Sequence, residues 1–137
     1  MISSNAHDPL EAELSDLDGL RVLVVEDSWS VGTAMKRLLR ACGADVVGPV
    51  ATTADAVRLI SEKAPDVALV DVNLRGGELA YELIDRLHGQ GTRVVVTSGY
   101  ADVLLPSGKA VVILKKPFSE VQLLATLRPI TTDKAAL

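Results

Sequence analysis

The chain predicts an α/β protein built on a doubly wound, five-stranded parallel sheet, and three observations carry that expectation. Five short β-branched runs recur at Arg21–Val25, Asp45–Ala51, Val67–Val70, Arg93–Thr97 and Ala110–Leu114. Most are apolar throughout rather than alternating, as strands covered on both faces are. Segments with helical spacing lie between them, and such alternation with right-handed crossovers places helices on both faces of one sheet. Finally, 137 residues with 48% hydrophobic and 23% charged side chains suffice to bury one core but not two.

Taken in order, residues 1–19 form an acidic extension. Asp8 suits a helix cap, Pro9 the first helical position, Glu11 the third, and Gly19 follows the end. These predict a short helix over 9–18 with Leu10, Leu14 and Leu17 on one face, which docks on the body, docks on a partner or frays. The body spans residues 20–128. Its helices are predicted over Trp29–Ala41, closed by Gly43; Ala54–Lys63, closed before Pro65; and Glu78–Leu87, closed by Gly89. Leu38, Leu39 and Cys42 share a face of the first, where a buried, inert thiol is the natural reading. The span from Ser98 to Lys116 is short for a helix plus a strand, and Pro106 and Gly108 interrupt it, so the fourth helix is expected to be shortened or irregular. Ser119 and Gln122 form a capping box for a last helix to about Arg128, where Pro129 should stop it and leave 129–137 a loose tail.

Composition narrows the function. Aromatics are only 3%, which disfavours base-stacking platforms. The net charge of −4 is uneven: residues 1–20 hold five acids and no Lys or Arg, while the rest carries 14 bases against 13 acids. A nearly neutral body offers no basic footprint, so nucleic acid is not an expected partner. A single cysteine rules out an intramolecular disulfide. Neither a membrane span nor a secretory signal is visible, which points to the cytoplasm. No Gly-x-Gly-x-x-Gly follows the first strand, so a dinucleotide-binding dehydrogenase is excluded.

In open α/β sheets ligands bind beyond the carboxyl ends of the strands. Here those ends read Glu26-Asp27, Asp71, Thr97-Ser98-Gly99 and Lys115-Lys116-Pro117. Singly, each has an ordinary structural reading as a cap, a turn or a solvated loop. Those readings predict scatter, whereas all four groups fall at one edge of the sheet. Three clustered carboxylates repel unless a cation is present, and an all-oxygen cluster suits a hard divalent ion such as Mg²⁺, which favours phosphate as a co-ligand. A carboxylate beside a metal, a hydroxyl and a fixed lysine is an apparatus for accepting a phosphoryl group.

The runs Val22-Leu-Val-Val-Glu-Asp27, Val67-Ala-Leu-Val-Asp71-Val-Asn-Leu, Val94-Val-Val-Thr-Ser98-Gly and Lys116-Pro117-Phe118 together resemble the receiver domain of bacterial two-component response regulators, over about Arg21 to Arg128. The resemblance implies a flavodoxin-like sheet ordered 2-1-3-4-5 and Asp71 as phosphoacceptor. It implies Mg²⁺ held by Asp27, Asp71 and the backbone carbonyl of Asn73, with Glu26 acting through water. Ser98 and Lys116 would hold the phosphoryl oxygens. Lys116 is chosen over Lys115 because it immediately precedes Pro117, and the Lys116–Pro117 peptide would be cis. Asp71-Val-Asn-Leu-Arg-Gly-Gly together with Ser98-Gly99-Tyr100 is similar to the subgroup of stand-alone receivers that partner HWE-type histidine kinases. Tyr100, two residues past the hydroxyl, either shields the acyl phosphate from water and so modulates its lifetime, or is a surface tyrosine with no such role.

Two positions depart from the family's pattern. Arg75, followed by Gly76-Gly77, stands where a proline is common, and Ile113 stands where the family's rotating aromatic switch residue sits. The resulting expectation is a single-domain switch, phosphorylated by a histidine kinase and acting through a downstream protein target or a phosphotransfer protein. It would be no enzyme beyond its own phosphorylation and dephosphorylation. The alternative is an interaction module of the same fold that is not phosphorylated. An aspartate-nucleophile phosphohydrolase of the haloacid dehalogenase type needs an acid at Asn73 and is disfavoured.

Overall fold

A computed structural model describes residues 16–74, 80–99 and 112–136. In chain order it contains β1 (Arg21–Val25), α1 (Trp29–Ala41), β2 (Asp45–Val50), α2 (Thr53–Glu62), β3 (Val67–Asp71), α3 (Tyr81–Gly89), β4 (Arg93–Ser98), β5 (Val112–Lys115) and α4 (Glu120–Ala136). The strands form one parallel sheet in the order β2-β1-β3-β4-β5, the predicted architecture. The expected irregular helix between β4 and β5, with Tyr100, and the Arg75-Gly76-Gly77 turn lie outside the described residues.

The apolar runs of β1, β3 and β4 are buried because helices cover the sheet on both sides. Alternate side chains go to opposite faces. Val22 and Val24 join Met35, Leu39, Leu123 and Leu127 in one cluster. Leu23 and Val25 join Ala56, Ile60, Leu83, Ile84 and Leu87 in the other. At the sheet edge, β5 alternates between half-buried and exposed, and Ile113 points outward at 45% exposure.

Capping sets the helix ends. Ser28 caps α1, its hydroxyl accepting from the Val31 N–H, and Thr52 caps α2 by accepting from the Asp55 N–H at 3.2 Å. α3 runs through Gly89, the residue expected to close it. Gln90 is its C-cap, and the left-handed conformation falls to Gly91, φ +89°. Gly43, after α1, is left-handed at φ +95°, and a side chain there would run into Asp18.

Both chain ends depart from expectation. Of the helix predicted over 9–18, residues 9–15 lie outside the described part, and Asp16–Gly19 form turns instead. Both a tertiary bond and a turn explain this: the Leu17 N–H donates to the Cys42 carbonyl, the Leu20 N–H donates to the Leu17 carbonyl, and Gly19 takes φ +80°, which swings the chain into β1. Leu17 is fully buried, and Asp16 accepts from Arg128 at 2.6 Å, so this end of the extension docks on the body. The last helix does not stop at Arg128; α4 continues through Pro129 to Ala136, so 129–136 are helical rather than loose. Proline in a helix interior costs about 3 kcal/mol. Ile130 offsets it by extending the apolar stripe of Leu123 and Leu127 into the core, at about 1.5–3 kcal/mol for a buried aliphatic side chain.

Gly32, buried within α1, allows a close approach: a Cβ there would lie 2.9 Å from the Pro49 Cβ. Gly→Ala in an open helix gains about 1 kcal/mol. Here the sign reverses, and Gly32→Ala is expected to lose about 1–3 kcal/mol by overpacking, read as a lower urea midpoint at unchanged slope.

Candidate functional site

The parallel register brings four strand ends to one edge. Asp71 is the last residue of β3 and Ser98 the last of β4. Glu26 and Asp27 follow β1 directly, and Lys116 follows β5 directly. Glu26, Asp71 and Ser98 are buried, at 4%, 5% and 0% exposure, while Asp27 and Lys116 are half-buried. Carboxylate oxygens of Glu26, Asp27 and Asp71 all lie within 4.8 Å of one another.

Lys116 joins the cluster across the sheet. Its Nζ donates to Glu26 Oε1 at 2.6 Å and to Asp71 Oδ2 at 3.0 Å. The remaining oxygens are used locally: Glu26 Oε2 accepts from the Ser28 N–H, and Asp71 Oδ1 accepts from the Asn73 N–H, both at 3.0 Å. The Lys116 N–H donates to the Ser98 carbonyl at 2.7 Å, which fixes the lysine's backbone against the end of β4. The Lys116–Pro117 peptide is cis.

Electrostatics follow from burial and pairing. Burial pushes the Glu26 carboxyl above the ordinary range, and the nearby Asp71 charge adds to this; the hydrogen bonds from Lys116 and Ser28 pull only partly the other way. Burial lowers Lys116, but its hydrogen bonds to Glu26 and Asp71, and their charges, outweigh that and raise it above its usual value. The ammonium therefore stays charged. Three carboxylates against this ammonium leave a formal charge of −2 on the four groups, and all the side-chain donors to an ion are hard oxygens, so the residues present fit a divalent cation such as Mg²⁺.

Of the sequence-derived site residues, the fold brings Glu26, Asp27, Asp71, Ser98 and Lys116 to one edge, with Asn73 two residues past the β3 end; Tyr100 is outside the described residues. Sequence reasoning missed the direct Glu26–Lys116 ion pair, because two residues 90 apart in sequence show no pattern that ties them. The one available signal was that each directly follows a strand.

Compared with known proteins, residues 22–128 match the response regulator receiver domain, and the chain belongs to that family. The family is a signalling domain of two-component systems rather than a typical enzyme. The chain is 28% identical over 119 residues to protein PilG of Pseudomonas aeruginosa, covering 81% of this chain and 87% of PilG. Its fold is similar to a CheY-like receiver domain from Methylobacillus flagellatus, with TM-score 0.72, 24% identity, and coverage of 83% of this chain and 98% of that one. It is also similar to the response regulator PhyR from Brucella abortus, with TM-score 0.75 and 19% identity, covering 93% of this chain and 54% of PhyR. No helix among the described residues is long and apolar enough to cross a membrane.

Removing the ammonium leaves two buried carboxylates facing each other. Lys116→Met is expected to cost about 3 kcal/mol at neutral pH, the low end of the range for breaking a buried pair because Lys116 is 26% exposed on its side chain. Burial already raises the Glu26 carboxyl above its unfolded value, and losing the lysine's hydrogen bond and charge raises it further. The deficit should therefore shrink as the pH falls and Glu26 protonates, which urea unfolding compared at neutral and acid pH measures.

Proposed function

We propose that this receiver domain accepts a phosphoryl group on Asp71 from a histidine kinase, in a Mg²⁺-dependent reaction, and signals through protein contacts or a phosphorelay. The observation that supports this most is Asp71 itself: a buried carboxylate with a charged lysine on one oxygen and two further carboxylates within 4.8 Å.

The chemistry assigned to the chain's own residues is simple. An oxygen of Asp71 attacks the phosphorus of a phosphohistidine; the new P–O bond forms as the P–N bond breaks, and the electron pair leaves with the imidazole. Asp71 is aimed by its Oδ1 contact with the Asn73 N–H. Lys116, anchored by Glu26, then neutralises the incoming oxygens, and the Ser98 hydroxyl donates to one of them. Asp27, Asp71 and the Asn73 carbonyl would hold Mg²⁺, with Glu26 acting through water; when bound, the ion neutralises phosphoryl charge. Because Glu26 already binds Lys116 directly, its first role in this reading is to hold the lysine. The Ser98-Gly99-Tyr100 resemblance favours an HWE-type kinase as donor, and Tyr100 is assigned a role in protecting the acyl phosphate.

Incubation with a small-molecule phosphodonor and Mg²⁺ should add the mass of one phosphoryl group, and Asp71→Asn should abolish the gain. An adduct that persists in that variant would overturn the assignment to Asp71, and no adduct on the wild type with any donor would favour the non-phosphorylated interaction module.

Trp29, two residues beyond Asp27 and 77% exposed, supplies an optical reading of the metal. A saturable change in its fluorescence on Mg²⁺ titration is expected, lost in Asp27→Ala; a change unaffected by that substitution argues against Asp27 as a ligand.

A further inference from the structure

Beside the site, α1 and the start of α4 enclose an apolar groove of about 590 Å³. Val31, Ala34, Met35 and Leu38 form one stripe on α1, facing Phe118 and Leu123, with Lys116 at the rim. The same interhelical cleft is closed at its other end. There Leu17 lies fully buried with its N–H on the Cys42 carbonyl, while Asp16 holds Arg128 of α4. Leu17, Met35, Leu123, Leu38 and Phe118 all belong to one apolar cluster, so groove and plug are continuous.

The chain leading into Leu17 has the pattern to fill the open end. Leu10 and Leu14 share its helical face, and Leu10 stands seven residues before Leu17 just as Met35 stands seven before Cys42. At 1.5 Å per residue both separations are about 10 Å, so a helix laid parallel to α1 and entering the Asp16–Gly19 turn with Leu17 at Cys42 brings Leu10 level with Met35 and Leu14 level with Leu39, one residue from Leu38. Charge agrees: residues 1–20 carry five acids and no base, and α1 carries Lys36, Arg37 and Arg40 and no acid.

We propose that the segment Asp8–Asp16 folds back along α1 and seats Leu10 and Leu14 in this groove. The segment is then a tethered competitor, at high effective concentration, for any partner that approaches Lys116 over α1.

Two measurements on the full chain test it. Leu10→Cys with Ala34→Cys should form an intramolecular disulfide under mild oxidation about ten-fold or more faster than Leu10→Cys paired with Glu82→Cys on α3, as a tethered, seated segment requires. Equal rates overturn the proposal, and so does a concentration-dependent dimer, which assigns the groove to a second copy. In parallel, Leu10→Asp with Leu14→Asp should raise binding of an anilinonaphthalene sulfonate dye, because the groove is vacated. A wild type that already binds the dye as strongly has an open groove suited to another partner, and the proposal fails. Phosphorylation of Asp71 enters neither readout, so the outcome stands apart from the proposed activity.

Discussion

Everything at the functional edge depends on one ammonium group placed between two buried carboxylates. Lys116 reaches from the end of β5 to Glu26 beyond β1 and to Asp71 at the end of β3, spanning the sheet that β4 and β3 separate. Burial alone disfavours the charged forms of Glu26 and Lys116; the hydrogen bonds and charges around the ammonium outweigh that for Lys116 and offset it in part for Glu26. The arrangement needs parallel strands, since only these deliver all their carboxyl ends to one side. It also needs the Lys116 backbone fixed against Ser98, so that the side chain spans inward rather than dissolving into solvent.

That constraint explains which parts of the chain were legible. A strand buried on both faces is written as an uninterrupted β-branched run, and β1, β3 and β4 could be located from Arg21–Val25, Val67–Val70 and Arg93–Thr97 alone. The chemistry was legible for the same reason, because polar residues directly following such runs must fall at one edge. Helix boundaries were less so. Local signals at Gly89 and Pro129 were overruled: the turn after α3 closes on Gly91 two residues later, and burial of Ile130 in the core drew α4 past its proline. The partnership of Glu26 and Lys116 is a fact of three dimensions, with no local pattern at either residue to announce it.

The extension shows how a few interactions convert an acidic tail into part of the body. Leu17 contributes a fully buried side chain, its N–H satisfies a carbonyl at the end of α1, and Asp16 meets Arg128. Of these, burial dominates, for the ion pair is one-third exposed on both sides and worth at most about 1 kcal/mol. The extension thereby ties the C-terminal end of α1 to the middle of α4, away from Asp71.

The division of the interior into two apolar clusters has a thermodynamic side. Neighbouring residues of β1 send their side chains to different clusters, Val22 and Val24 to one and Leu23 and Val25 to the other, with the peptide plane between them. Free energies of substitution add when sites share no partners and depart from additivity when they do. The sheet therefore acts as a partition: the face of α1 and α4 and the face of α2 and α3 can be repacked independently, and Asp71, in the strand at the middle of that partition, is the point from which either face can be reached.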